Sequence, residues 1–272
     1  MADAPILDLK DTGAPSVFQP ENLLREARRQ RGLEHADVPT LCLLDPDGDI
    51  VRHLKRTGRA QPIEHWACYH TEMWRFAWEG LEFGVVGCAV GAPFAVLLAE
   101  QMFASGCRFL ISVTSSGQIT PVGEPPYFVL IEKALRDEGT SYHYLPPSRF
   151  AEADPDVLSR LAPLVGQAPV AVHRGATWTT DAPYRETEAA IAAHRQAGIL
   201  AVEMEAAALY AFSRARNVPV ACFAHVTNAM AQSEGDFEKG EADGALDALA
   251  LVAAAARAWL AGGDGGNAVR PR

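Results

Sequence analysis

A chain of 272 residues that is 49% hydrophobic and 21% charged carries enough apolar material for a large core, which excludes a disordered protein. Its 24 basic and 34 acidic residues leave a formal charge of −10, without the basic field that duplex nucleic acid or an anionic membrane would demand, so small molecules are the expected partners. The first ten residues, MADAPILDLK, have neither the basic flank nor the apolar stretch of a signal peptide, and the cytoplasm is the expected location.

Residues 1–37 are polar and read as an exposed leader, with one short helix at 21–31 that carries acid at its start and base at its end, as the helix dipole prefers. From Pro39 onward, β-type apolar runs alternate with helical periodicity. Strands are expected at 40–44, 83–88, 109–113, 127–131, 170–173, 200–202 and 218–226. Helices are expected at 94–104, 156–165, 185–197, 205–216 and 245–260. The alternation predicts a single α/β domain over residues 38–260, with a mixed, mainly parallel sheet flanked by helices. The most apolar stretch, 84–99, is shorter than the ~20 residues of a membrane span. It is broken by Gly87, Gly91 and Pro93, and reads as strand, turn and helix. Residues 261–272, AGGDGGNAVRPR, read as a disordered tail.

The cysteines Cys42, Cys68, Cys88, Cys107 and Cys222 are odd in number and form no CxxC pair, so they are expected to be buried, inert thiols. Of the histidines, His70, His173 and His225 fall near strand ends or loops, but no metal-ligand spacing such as HExxH occurs; they read as structural, with His70 or His225 as an alternative source of positive charge for an anion, and neither metal nor cofactor is implied.

Ligands of such sheets gather at the carboxyl ends of strands, which directs attention to the loops that follow them. Four segments stand there in order: GVVGCAVGAPFAVLLAEQMFASGCRFLISVTSSGQI at 84–119, TWTTDAPYRE at 177–186, AVEMEAAALYAF at 201–212 and CFAHVTNAMAQ at 222–232. Together they resemble the nucleoside phosphorylase and nucleosidase superfamily over about residues 38–260, and the Val226-Thr227-Asn228 run is most similar to its uridine phosphorylase branch. The resemblance implies the fold of that superfamily, cleavage of the bond between a ribose and a base, and a homo-oligomer, either a dimer or a trimer of dimers.

Glu203, Met204 and Glu205 match the family's Glu-Met-Glu segment. The resemblance makes Glu205 the carboxylate that takes the vicinal hydroxyls of ribose, a charge-assisted contact, with Met204 packed beneath the sugar. The alternative is that Glu205 only decorates a first helical turn, where acids are favoured anyway. Asn228 stands where the family places a residue near the base; its amide can hydrogen-bond a leaving base, or it is simply a turn residue after a strand. Trp178 and Tyr184 offer a stacking face for the base, with Pro183 in place of the family's Phe and Arg185 close by. The Gln and Arg that read uracil in the uridine enzymes have no counterpart at matching spacing.

The phosphate site departs most. Where the family has Gly-Asp-Pro-x-Arg after the first strand, this chain has Asp45-Pro46-Asp47-Gly48-Asp49-Ile50; Ser112 takes the place of a second arginine, and a third is missing around Cys68 to His70. Clustered carboxylates repel a phosphate dianion, whereas one of them, Asp47, can serve as general base for water. Thr114, Ser115 and Gly117 keep the hydroxyl-rich, glycine-containing second loop, suited to a water or a weakly held anion. The three acids also read as a plain solvated turn.

The expectation is therefore hydrolysis of a nucleoside, with Asp47 and Asn228 catalytic. The alternatives are phosphorolysis that recruits other cations, Arg52, Arg75 or Arg149, and a non-catalytic nucleoside-binding protein.

Overall fold

The computed structural model describes residues 5–230 and 234–263. Its first half contains α1 (Pro20–Arg31), β1 (Leu41–Asp45), α2 (Asp49–Arg56), β2 (Gln61–Pro62), β3 (Trp74–Trp78), β4 (Leu81–Gly87), α3 (Ala92–Ala104) and β5 (Phe109–Gln118). After β6 (Tyr127–Asp137) come β7 (Phe150–Glu152), α4 (Pro155–Leu161), the kinked turn α5 (Leu164–Gln167), β8 (Val172–Thr180) and α6 (Glu188–Gln196). The last elements are β9 (Ile199–Glu203), α7 (Ala206–Arg216), β10 (Val220–Asn228) and α8 (Ala245–Ala261).

The strands form one mixed sheet flanked by helices, as expected. Its open half runs β5-β1-β4-β3-β2, with β1 parallel to both neighbours; all five residues of β1 are buried, as in a strand covered on both faces. The other half is a closed ring that apolar patterning did not reveal: β5 pairs β10, β10 pairs β6, β6 pairs β8, β8 pairs β9, and β9 returns to β5. Alternation along β5 serves two cores: Phe109, Ile111 and Val113 join the cluster that includes Leu249 and Val252 of α8, whereas Leu110 joins the α3 and α7 side.

Three departures have simple causes. The strands β5, β6 and β8 run well past their apolar stretches, because hydroxyl and charged residues continue the ladders toward the site. Helix α6 starts at Glu188, not 185, since Pro183–Arg185 forms a 3-10 turn and the Thr187 side chain caps the helix by accepting the Ala190 N–H. Helix α2 was missed because only Ile50, Val51 and Leu54 bury on its eight residues.

Nor is the 1–37 segment an exposed leader throughout: Leu24 and Ala27 of α1 are buried against Ala67. Cys88 departs from the expected buried thiols, being exposed at φ +60°. Among the described residues one helix, Glu241–Ala261, is long and apolar enough to cross a membrane, yet Leu249, Leu251 and Val252 on it are fully buried in the core. Of the expected disordered tail, residues 264–272 lie outside the described residues.

Candidate active site

The β9–α7 junction brings two buried glutamates together in unequal roles. Glu203 Oε1 accepts from the hydroxyls of Thr177 at 3.1 Å and Thr179 at 2.5 Å; its Oε2 accepts the backbone N–H groups of Glu205 and Ala206, both at 2.7 Å. Glu203 thus satisfies orphan donors at the head of α7, and it has no oxygen spare for a sugar. The match to the family's Glu-Met-Glu segment put Glu203 among the substrate-binding residues; its contacts make it an internal brace instead.

Glu205 Oε1 accepts the Gly91 N–H at 2.7 Å, whereas its buried Oε2 has no hydrogen-bond partner among the described residues. Burial first, then the charge of Glu203, push Glu205 up to about 8. An orphaned buried carboxyl oxygen marks a group that awaits a donor. Met204, between the two acids, is half-buried.

Facing this junction is the turn after β1. The buried Asp45 accepts from Gly48 N–H and Val51 N–H, which ties the turn to the start of α2; burial raises it to about 7. Asp47 reaches across to β5, where its Oδ2 accepts the Ser115 N–H at 2.6 Å. Asp49 is paired with Arg52 and Lys239. Arg52 also donates to the Asp47 carbonyl at 2.8 Å and lies beside the Cys88 sulfur. The three acids therefore do not form one solvated turn: each has its own contact, and together with Ser115 and His225 they line a small cavity.

At the end of β10, Asn228 is buried and its amide is mostly engaged: Oδ1 accepts the Met230 N–H and Nδ2 donates to Thr227 Oγ1. Among the described residues its second amide hydrogen has no acceptor and can serve an outside one. Thr227 Oγ1 lies 3.0 Å from Ser115 Oγ, so a hydroxyl chain links Asn228 to the residue that holds Asp47. Gly117 lets Met230 and Asn228 approach β5 closely: a Cβ there would stand 2.7 Å from Met230 Sδ, which would have to shift, and 3.5 Å from Asn228 Oδ1. Thr114 is near enough to Glu205 to favour its charged form.

The expected stacking pair is not brought together. Trp178 is 3% exposed, packs its ring on His194 with centroids 4.3 Å apart and donates Nε1–H to Asp137, whereas Tyr184 is 98% exposed and Arg185 is exposed beside it. Trp178 is accordingly a core residue, and Tyr184 presents a face only outward from this chain.

Of the alternative cations, Arg75 pairs with Glu82 on the edge of the sheet and Arg149 lies over Phe150, so Arg52 alone among the three borders the turn. His225, read as structural, does stack on Phe128, but it also lines the cavity; its Nε2 has no partner among the described residues, and burial lowers it to about 4. His70 is exposed and His173 makes an edge contact with Tyr127. Motif reading did not find Thr179, Lys239 or the Gly91 N–H. Only Thr179 left a signal, the hydroxyls two apart in Thr177-Trp178-Thr179 that share one face of a strand.

Known proteins resemble this chain to different extents. A uridine phosphorylase of Thermococcus kodakarensis is 27% identical over 231 residues, 79% of this chain and 82% of that protein. A guanosine phosphorylase of Halorubrum lacusprofundi is 25% identical over 142 residues, 52% of this chain, and the chain spans only 59% of that relative's length. Among solved structures, a uridine phosphorylase of Vibrio fischeri ES114 complexed with 6-hydroxy-1-naphthoic acid superposes with a TM-score of 0.68 at 20% identity, over 83% of this chain and 92% of that one, a likeness of fold. A sequence model described as "Phosphorylase superfamily" matches residues 40–257, most of the chain and all of the strands and loops that build the site. The chain belongs to the phosphorylase superfamily.

Proposed function

We propose that this chain cleaves the N-glycosidic bond of a nucleoside, with water as the attacking group. The observation that carries the choice is the 2.6 Å contact of Asp47 Oδ2 with the Ser115 N–H: a carboxylate of the chain itself occupies a donor that an incoming anion would need. In this reading Glu205 Oε2 takes the ribose hydroxyls beside Met204, and Asp47 accepts a proton from water as its oxygen bonds to the anomeric carbon. The bond to the base breaks with its electron pair going to the base; an amide hydrogen of Asn228 stabilises the departing anion, which then takes up a proton from solvent as Asp47 releases its own. The products are free ribose and free base.

Phosphorolysis is the second reading, favoured by the names of the relatives and by Arg52, whose guanidinium lies beside Gly48 and Cys88 at the same turn. Both readings involve a small-molecule nucleoside, and a symmetric homo-oligomer with the dimer as minimum unit is proposed with them. The test is base release from a panel of purine and pyrimidine nucleosides with and without inorganic phosphate. Equal rates with free ribose as product are expected; strict phosphate dependence with ribose 1-phosphate as product overturns the hydrolytic reading.

A further inference from the structure

Two buried carboxyl groups two residues apart cannot both carry charge cheaply, so the site has to decide which of them holds a proton. The hydrogen bonds of Glu203 decide it. All four of its contacts are donors: two backbone N–H groups and two threonine hydroxyls. Thr179 Oγ1 accepts the Ala207 N–H at 2.9 Å, which leaves its own proton free to be donated to Glu203. Burial raises Glu203, but four groups able to donate oppose that rise, and the two backbone N–H groups on Oε2 cannot accept a proton in return, which favours the anion. Glu205 has fewer: one backbone donor, from Gly91, the Thr114 hydroxyl nearby, and an Oε2 that has no hydrogen-bond partner among the described residues.

We propose that Glu203 is a positioning residue, a fixed anion that holds the head of α7 and keeps the proton of the pair on Glu205 until a sugar arrives. Its consequence for binding, and only that, rests on the reading that Glu205 grips ribose. The charges facing Glu205 come from several elements: Glu203 from β9 and Asp47 from the turn after β1 favour the proton, while the Gly91 N–H at the head of α3 and Thr114 of β5 oppose it. The Cys222 thiol of β10 is itself raised by burial and then by Glu203, with a smaller push from Glu205, so it stays neutral and adds no charge.

Glu203→Gln tests the charge with little change of shape. The amide oxygen can keep the two backbone N–H groups, and its NH2 can face the threonine oxygens. Infrared spectra of the ligand-free full chain across pH read buried protonated carboxyl groups directly. Asp45, raised to about 7, adds a band of its own in every variant, so the quantity read is the difference from Glu205→Gln: the wild type is expected to show at neutral pH a protonated-carboxyl component that Glu205→Gln lacks. In Glu203→Gln that component should titrate at a pH lower by about one unit or more, a roughly tenfold or larger loss of proton affinity. A component that survives in Glu205→Gln and is lost in Glu203→Gln overturns the proposal, as does no difference between the wild type and Glu205→Gln or an unmoved midpoint in Glu203→Gln. Should Glu203→Gln fail to fold, the wild type against Glu205→Gln still decides where the proton sits. No substrate is present, so failure here leaves the nucleoside reading standing, and failure of the nucleoside panel leaves this assignment standing.

Discussion

Ser115 and Asp47 are joined by a 2.6 Å hydrogen bond across 68 residues of chain, backbone N–H to carboxylate, where the turn after β1 meets β5. The contact holds the carboxylate in place without neutralising it, since the donor is a neutral amide. A fixed, solvent-reachable carboxylate suits a general base, and an anionic substrate would meet it as a like charge.

Asp47→Asn is therefore expected to lower turnover by about 10²- to 10⁴-fold while the KM for nucleoside changes little, because the amide oxygen can keep the Ser115 contact but cannot take a proton from water. Steady-state kinetics on whichever nucleoside the panel identifies is the check. Unchanged kcat would remove Asp47 from the chemistry.

Glu205→Gln should weaken ribonucleoside binding by about 1.5–3 kcal/mol, and more so at alkaline than at acidic pH. The sign follows from Glu205 being raised to about 8: below that pH the wild-type group is already mostly neutral, so the amide resembles it, whereas above it the wild type gains a charged acceptor that the amide lacks. Calorimetric or kinetic affinities at two pH values test this. A penalty that shrinks as pH rises contradicts it.

Stability should fall as pH rises through neutrality. Asp45 at about 7 and Glu205 at about 8 both lie above ordinary carboxylates, so the folded state holds more protons than the unfolded one; their contribution is full below the usual carboxylate range and is lost as pH rises through those values. His225, lowered to about 4, works oppositely, stabilising above the ordinary histidine range and losing that contribution as pH falls through its folded value. The melting temperature is expected to be higher near about pH 6 than near about pH 8.5, with a smaller difference in Glu205→Gln. Thermal unfolding that is flat or rises over that interval would contradict the assignment.

Much of the site could be read from local pattern. The Glu-Met-Glu triplet stands out because a strand period gives way to a helix period at that point, and the acids after β1 stand out because nothing apolar separates them. What separates Glu203 from Glu205 could not be read locally, since it depends on Thr177 and Thr179 in another strand and on Gly91, 114 residues away. Trp178 is the instructive miss. Alternation along β8 sends Thr177 and Thr179 to one face, toward Glu203, so Trp178 must point to the other, where it packs with Ile199 and Leu135. The strand period is present in the sequence, and it outweighs the stacking capacity of the aromatic ring.

Setting Asp45-Pro46 on the Asp-Pro of the family pattern puts Gly48 where the phosphate arginine would stand. Gly48 has φ +78°, and a Cβ there would lie 2.6 Å from Cys88 Sγ and 2.8 Å from Arg52 Nη1. The arginine can swing aside cheaply, but the sulfur sits on a short side chain. Gly48→Ala should cost about 1–3 kcal/mol, and Gly48→Arg should not restore phosphate use. Combining Gly48→Ala with Cys88→Ala should recover part of the loss, a coupling of at least about 0.5 kcal/mol in a double-mutant cycle. Strict additivity would place the strain elsewhere.

The ring of β5, β10, β6, β8 and β9 has a bearing on how the chain behaves at high concentration. A strand whose two sides are both paired offers no row of free amides to a neighbouring molecule. What the sheet leaves open is short: at one end β2 is only Gln61–Pro62, where the proline has no N–H to donate, and beyond it three residues of β3, 76–78, are unpaired on their outer side, while β7 is three residues long. Closure and two blunted margins together leave little for strand-to-strand aggregation to begin from.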